Sequence, residues 1–506
     1  MEKKIFRNVG ANIILQVVLT VSGLIIPRYI LAFYGSEMNG LVSSISQFIT
    51  YAALIEMGIG DATIIALYKP IAENNIKELG SILTTSKKLY SKSGYIYIAI
   101  ILILAMVYPL LLIQQFEYTF TFLLFLGIGS INAIDYFILG KYKVFLIADQ
   151  KYYVLNVARI FATIVLTVGS ILLLYNNASI LLVKVFAVLT HLVEALFIYF
   201  YIRIKYSCLN YHSNCVAKIE QRWNALVCQI CATIVYNTDL VVLTLFLPGR
   251  SLSEISVYTV YSMVFSLLTN LSASLTTGIN ASFGNLYAKG ENNKLFRLFV
   301  LYELIYFIMI FTACSCFAVL IVPFVSCYTK GIQDADYIRY GVGLLFAANG
   351  LSAQVKDVSG MINMATGKLE AVRQYAVEEA VVNIIISLLL VRKFGIIGVL
   401  FGTLISHILM SARIISYAAK QLVHNTRQLT LQRILRNLLV VIVIVLIELH
   451  FINISLQWSV WLLQTMVVVI TNGFIIVGVN YLCEPVMVKD IVAILKRKIN
   501  SILIRQ

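Results

Sequence analysis

The chain has 506 residues, of which 60% are hydrophobic and 12% charged, against about 45–50% apolar and about 25% charged in a soluble globular protein. With a mean hydropathy of +0.89, this excludes a soluble multidomain enzyme and predicts an all-α polytopic membrane protein. The net charge of +15 does not indicate nucleic acid, because Lys and Arg lie between apolar stretches and form no single patch.

In chain order, apolar segments bounded by charges or turn residues predict fourteen spans: 9–34, 40–68, 92–114, 119–140, 152–175, 179–206, 223–248, 254–287, 295–328, 335–366, 370–392, 396–420, 434–453 and 458–483. The opening MEKKIFRN precedes an apolar run that continues to Tyr34 with no A-x-A cleavage site, so it reads as a retained first helix rather than a signal peptide. Several spans exceed the roughly 20 residues that cross hydrocarbon and should tilt or project, as at 80–92. The predicted organisation is an N-terminal six-helix lobe (1–206), a cytoplasmic linker (207–222), a C-terminal six-helix lobe (223–420), two added helices (421–483) and a basic amphipathic segment (484–506) suited to an anionic leaflet.

Alternate loops hold 29 of the 39 basic residues, among them Lys87, Lys88, Lys143, Lys151, Arg203, Lys294, Arg433 and Arg436, and the opposite loops hold five: Arg250, Lys330, Arg339, Arg392 and Lys393. Basic residues are retained on the cytoplasmic side, so both termini are expected there. Most of the eight cysteines lie in apolar runs and predict no disulfide framework. Cys208, His212 and Cys215 supply only three ligands where a structural zinc site uses four, and read as ordinary loop residues.

Two loops repeat. LYKPIAENN begins at Leu67 and LYAKGENN at Leu286, placing the Leu-Tyr pairs 219 residues apart and the Glu-Asn-Asn triplets 218 apart; Glu37 and Glu254 follow at 217. An even number of spans separates the copies, which predicts a parallel repeat of two bundles that rock about a central path.

Ionisable residues within spans should line a cavity or find partners. Arg28 follows Pro27 after an almost uncharged run, where a guanidinium could hold a phosphate by paired hydrogen bonds or be neutralised by Glu56. Glu56 and Asp61 flank the glycines of EMGIGD. Asp239, and the His191/Glu194 pair one turn apart, could exchange a proton or bind a cation, or form a satisfied polar cluster. Lys356 and Asp357 should point to different faces, with Lys356 a candidate for a cavity anion. Asp135 and Arg159 suggest an ion pair, and Asp61, Glu303 and Arg413 lie near enough to helix ends to snorkel. Spans two, eight (Asn270, Ser272, Ser274) and ten are rich in small polar residues, which pack helices or line a vestibule. The 30 tyrosines suit membrane interfaces first and sugar stacking second.

The segments PRYILAFYGSEMNGLVSSISQF from Pro27, YAALIEMGIGDATIIALYKPIAENN from Tyr51, ADQKYY from Ala148 and YNTDLVVLTLF from Tyr236 resemble the Wzx-type polysaccharide flippases of the multidrug/oligosaccharidyl-lipid/polysaccharide exporter superfamily, over essentially the whole chain. The resemblance implies a cationic cavity and alternating access, moving an undecaprenyl-diphosphate-linked oligosaccharide to the outer leaflet for O-antigen or capsule. It also implies a polysaccharide polymerase and chain-length machinery as partners. By position, Arg28 corresponds to the first-helix arginine of such flippases; Lys356 and Arg413 are the bases available in the second lobe. No enzymatic activity and no cofactor are expected beyond coupling to H+ or Na+. Asp239 and Glu194 also suit an ion-coupled multidrug exporter. A membrane polymerase or glycosyltransferase is disfavoured by short outer loops, in which Asp334 and Asp336 read as an exposed turn. No phosphate-binding Gly-Lys loop is present.

Overall fold

A computed structural model describes residues 2–489 except 74, 207–222, 248–250, 278, 367–368, 422, 424–425, 453 and 455. The described residues form helices and no strand: α1 (Glu2–Ala52), α2 (Ile59–Ala72), α3 (Ile76–Leu111), α4 (Tyr118–Ile134), α5 (Gly140–Ala148), α6 (Tyr152–Tyr175), α7 (Ile180–Lys205), α8 (Trp223–Phe246), α9 (Ser251–Thr277), α10 (Asn280–Ala288), α11 (Asn292–Tyr328), α12 (Tyr340–Gln354), α13 (Asp357–Ala365), α14 (Leu369–Phe394), α15 (Ile396–Gln421), α16 (Thr426–Phe451) and α17 (Trp458–Cys483).

Among the described residues, twelve helical runs are long and apolar enough to cross a membrane by length and composition. The first, Gly10–Ala72, merges two predicted spans. α1 is two helices joined across a kink at Gly35 (φ 80°, ψ −179°), a non-helical backbone state open to glycine, and the kink falls where the sequence places the boundary between the first two spans. A second break follows at Gly58, whose φ of +87° starts α2 after the short turn Ala53–Glu56. The predicted span at 335–366 is interrupted between α12 and α13 and is not among the twelve. One merged pair and one broken span account for the difference from fourteen. Cys208, His212 and Cys215, and residues 490–506 of the basic segment, lie outside the described residues.

The chain divides into two compact units, 1–233 and 234–506. In the N-terminal unit α1 packs on α6, α6 on α7, α7 on α4, and α4 on α1 and α3. Asn75 caps α3 by accepting from the Glu78 amide (3.2 Å), and its own amide donates to the Glu78 carboxylate (3.0 Å). These reciprocal bonds explain why the first Glu-Asn-Asn loop starts a long helix.

The C-terminal unit is built on α11, where Phe299, Phe307 and Phe311 are buried. Its tightest packing is between α14 and α15. A Cβ on Gly398 would come within 2.5 Å of the Leu390 carbonyl oxygen, and one on Gly402 within 2.8 Å of the Ser387 nitrogen. Small residues four apart permit this backbone approach, and it brings Thr403 of α15 beside Asn383 of α14 (2.9 Å). Gly402→Ala must push two backbones apart. A loss of about 1–3 kcal/mol is expected, read as a lower melting temperature in detergent; an unchanged melting curve would show that the hairpin yields freely.

Candidate functional site

Within the N-terminal unit, α6 turns Asn156, Arg159, Thr163 and Ser170 to one side, at spacings of three, four and seven. The Arg159 guanidinium donates to Glu194 (2.9 Å) and lies 3.0 Å from His191 Nδ1. His191 Nε2 lies 3.0 Å from Asp135 and its Nδ1 3.1 Å from Glu194. Arg159 and Asp135 therefore do not form the direct pair expected from sequence; each is held through the histidine and Glu194. Asp135 opens a single wide π turn, Asp135–Leu139, that carries α4 into α5, a local expansion common where a side chain must be aimed. This quartet, with Gln16 and Lys143, borders a cavity of about 280 Å³.

Lys143 also borders a second cavity of about 340 Å³ with Glu56, Asp61 and Tyr90. The Tyr90 hydroxyl donates to the Glu56 carboxylate, and Asp61 is exposed at its edge. Gly60 leaves room there, since a Cβ would stand 3.3 Å from the Tyr90 oxygen. Arg28, directly after the Pro27 inside α1, is half-buried.

In the C-terminal unit Asp239 of α8 is 2% exposed. Its hydrogen-bond partners are hydroxyls, Tyr258 at 2.9 Å and Thr403 at 3.0 and 3.1 Å, and no ion pair reaches it among the described residues. Thr403 is also within 3.2 Å of the Val399 carbonyl and accepts from the Asn383 amide. The Asn383 side-chain oxygen is buried with no hydrogen-bond partner among the described residues. A carboxylate and two hydroxyls thus converge with no basic residue among the described residues, groups that suit a hard cation or a shared proton.

Lys356, at the break between α12 and α13, donates to Glu379 of α14 (2.7 Å), which also holds His407 of α15 (2.8 Å). Asp357 turns elsewhere, to Ser272 and Tyr306 (both 2.6 Å), in line with the expected divergence of the two side chains. Arg413 pairs with Glu378 (3.3 Å). Asn270 lies exposed on α9.

Three features escaped sequence reasoning. Glu303 does not snorkel: it is 1% exposed and bonded by the fully buried Arg433 (3.0 Å), which had read as a loop residue marking topology. The partners Glu379 and His407 are 28 residues apart, and only the closeness of α14 and α15 joins them. Lys184, on α7, belongs to no charge cluster visible in the sequence. Subtracting the 34 loop and terminal bases from the 39 would have isolated it with Arg28, Arg159, Lys356 and Arg413.

No protein-family model and no curated protein matches the sequence. Solved structures do match. A multidrug resistance MATE family transporter of the MOP superfamily, inward-facing, has a TM-score of 0.64 at 14% identity, covering 81% of this chain and 94% of that one. The lipid II flippase MurJ, in an inward closed conformation, has a TM-score of 0.63 at 14% identity over 93% of this chain and 99% of its own. A MOP superfamily transporter from Pyrococcus furiosus has a TM-score of 0.55 at 14% identity, covering 84% and 96%. The chain has the fold of these MOP superfamily proteins.

Proposed function

We propose that the chain is a flippase that carries an undecaprenyl-diphosphate-linked oligosaccharide from the inner to the outer leaflet of the bacterial cytoplasmic membrane, by alternating access, for O-antigen or capsule synthesis. The polymerase and chain-length machinery that consume such a product would be its partners. The observation that supports a lipid-linked cargo most is the extent of the match to the lipid II flippase. It covers 93% of this chain, against 81% for the MATE transporter; the difference, about 60 of the 506 residues, is the length of the α16–α17 pair. Ion-coupled drug export is the second reading, favoured by the equally good fit of the MATE transporter (TM-score 0.64).

The test is the lipid-linked oligosaccharide pool in host cells lacking the protein. Accumulation facing the cytosol with loss of surface polymer is the expected result. Repeat units that reach the outer leaflet but stay unpolymerised would point to a polymerase, and an unchanged pool to drug export.

The Asp239 cluster is assigned the coupling ion, H+ or Na+. A carboxylate buried without a basic partner is stable only with a proton or cation upon it, and a transported ion is one that can leave. Asp239→Asn keeps the shape and one acceptor oxygen for the Tyr258 and Thr403 hydroxyls but removes the charge. The variant should fold, and its flipping should lose dependence on both pH and sodium gradients; ion dependence like that of the wild type would remove Asp239 from the mechanism.

A further inference from the structure

Lys184 stands on the interior side of α7. It precedes His191 by seven residues, two helical turns, and so shares its face; Ile180 and Val183 on that side are 1% and 2% exposed and His191 7%. The lipid-type positions Leu182, Val185, Leu189 and Val193, each at least half exposed, occupy the opposite side. Lys184 is half-buried between these closed layers. It has no hydrogen-bond or ionic partner among the described residues.

The surrounding register is fixed by independent contacts. The antiparallel pair α6–α7 is aligned by Arg159 against Glu194 and by Gly169, whose Cβ would lie 2.3 Å from the Phe186 ring. Continuing that register places Ser170 level with Lys184. Ser170 is 1% exposed, on the face of Thr163, and its hydroxyl is buried with no partner among the described residues. On α4, Gly127 faces the same point, for a Cβ there would meet only Lys184, at 3.9 Å. The α1–α6 pair is aligned by Ser22 with Thr167 (2.7 Å) and Asn8 with Tyr153 (2.8 Å), which puts Arg28 about one helical turn further along than Ser170.

A half-buried lysine and a buried hydroxyl, both without a partner among the described residues, thus stand at one level of the unit beside a glycine. Lys184 lies within the first turns of α7, where the helix dipole is positive and adds to the cost of the lysine. We propose that Lys184 and Ser170 form an anion site inside the N-terminal unit that receives an oxyanion of the transported substrate; the proposal rests on the flippase reading. Lys356, by contrast, already has Glu379 as its counter-ion. Two sources can present the oxyanion, a phosphoryl group of the lipid diphosphate or a carboxylate of an acidic sugar.

The test uses the purified full-length protein with two probes, farnesyl diphosphate and tri-galacturonate, together with Lys184→Met, Lys184→Arg and Ser170→Ala. Wild type should bind at least one probe. Lys184→Met should weaken that binding by about tenfold or more and Lys184→Arg by no more than about threefold, since a charged donor is retained. Without ligand, Lys184→Met should melt about 2 °C or more above wild type, because it deletes an uncompensated charge; a purely structural lysine would give the opposite sign. Whichever probe responds identifies the source. Should Lys184→Met not fold, Ser170→Ala decides, with a loss of about threefold expected. Wild-type-like binding by Lys184→Met, or no binding of either probe to wild type, overturns the site. If Arg28→Ala blocks export while Lys184→Met flips normally, the anion site alone falls; if deleting the protein leaves the lipid-linked pool unchanged, the flippase reading falls whatever Lys184 does.

Discussion

Arg433→Met should destabilise the protein by about 3–5 kcal/mol, the loss typical of removing one partner from a buried ion pair. The guanidinium has 0% exposure. It donates to Glu303 (3.0 Å), to the Val300 carbonyl (2.9 Å) and to Glu484 (3.1 Å from Nε). Thr430 supports Glu303 at 2.8 Å, Arg436 supports Glu484 at 2.9 Å, and Asn480 donates to Asn437 at 2.7 Å. Methionine fills the volume but leaves Glu303 charged in the interior. The melting temperature in detergent should fall by roughly 10 °C, and a second change, Glu303→Leu, should restore part of it, as replacing both members of a buried pair usually does. A single variant within 1 °C of wild type would contradict this account.

The same cluster sets an acid limit. Burial alone would raise the Glu484 carboxyl, but hydrogen bonds and charge from Arg433, and then Arg436, outweigh it and hold it below the ordinary 4.5. A depressed carboxyl contributes stability that is fully present above 4.5 and is lost as pH falls through the lower folded value. The attachment of α16 and α17 to α11 should therefore hold at neutral pH and loosen progressively as pH falls below 4.5.

Arg28→Ala should abolish flipping while leaving membrane insertion intact, because α1 is long and apolar and loses one half-buried side chain. Two charge-assisted hydrogen bonds to a phosphate are worth about 3 kcal/mol, or about a hundredfold in rate. Arg28→Lys keeps the charge but not the planar fork, and should retain about a tenth of the activity. The measurement is appearance of the oligosaccharide in the outer leaflet of proteoliposomes. Normal flipping by Arg28→Ala would remove this residue from the substrate path.

The helical class and nearly all span positions were legible because hydropathy and basic-loop bias are summed over twenty residues or more. The kink at Gly35 does fall in GSEMN, which has the composition of a turn, and two helices meet there. Continuity was not legible elsewhere: Val355 and Lys356 break a span whose composition gives no warning. Among candidate groups, His191 with Glu194 was readable from helical spacing, whereas Thr403 lies 164 residues from Asp239 and Arg433 130 from Glu303. Such pairs exist only through helix packing. A positive residue in a sequence also looks the same whether it marks a cytoplasmic loop, as Lys143 was read, or is sealed in a core like Arg433.

The glycine-mediated contact of α14 with α15 has a practical corollary. Two backbones pressed together at Leu390–Gly398 and Ser387–Gly402 cannot slide without a clash, so this hairpin behaves as one stiff rod. Spin labels placed on its two exposed faces, at Leu389 and Phe401, would keep a constant separation through any rearrangement of the unit. That pair supplies an internal ruler, against which the distances of labels that do move can be calibrated in the same membrane.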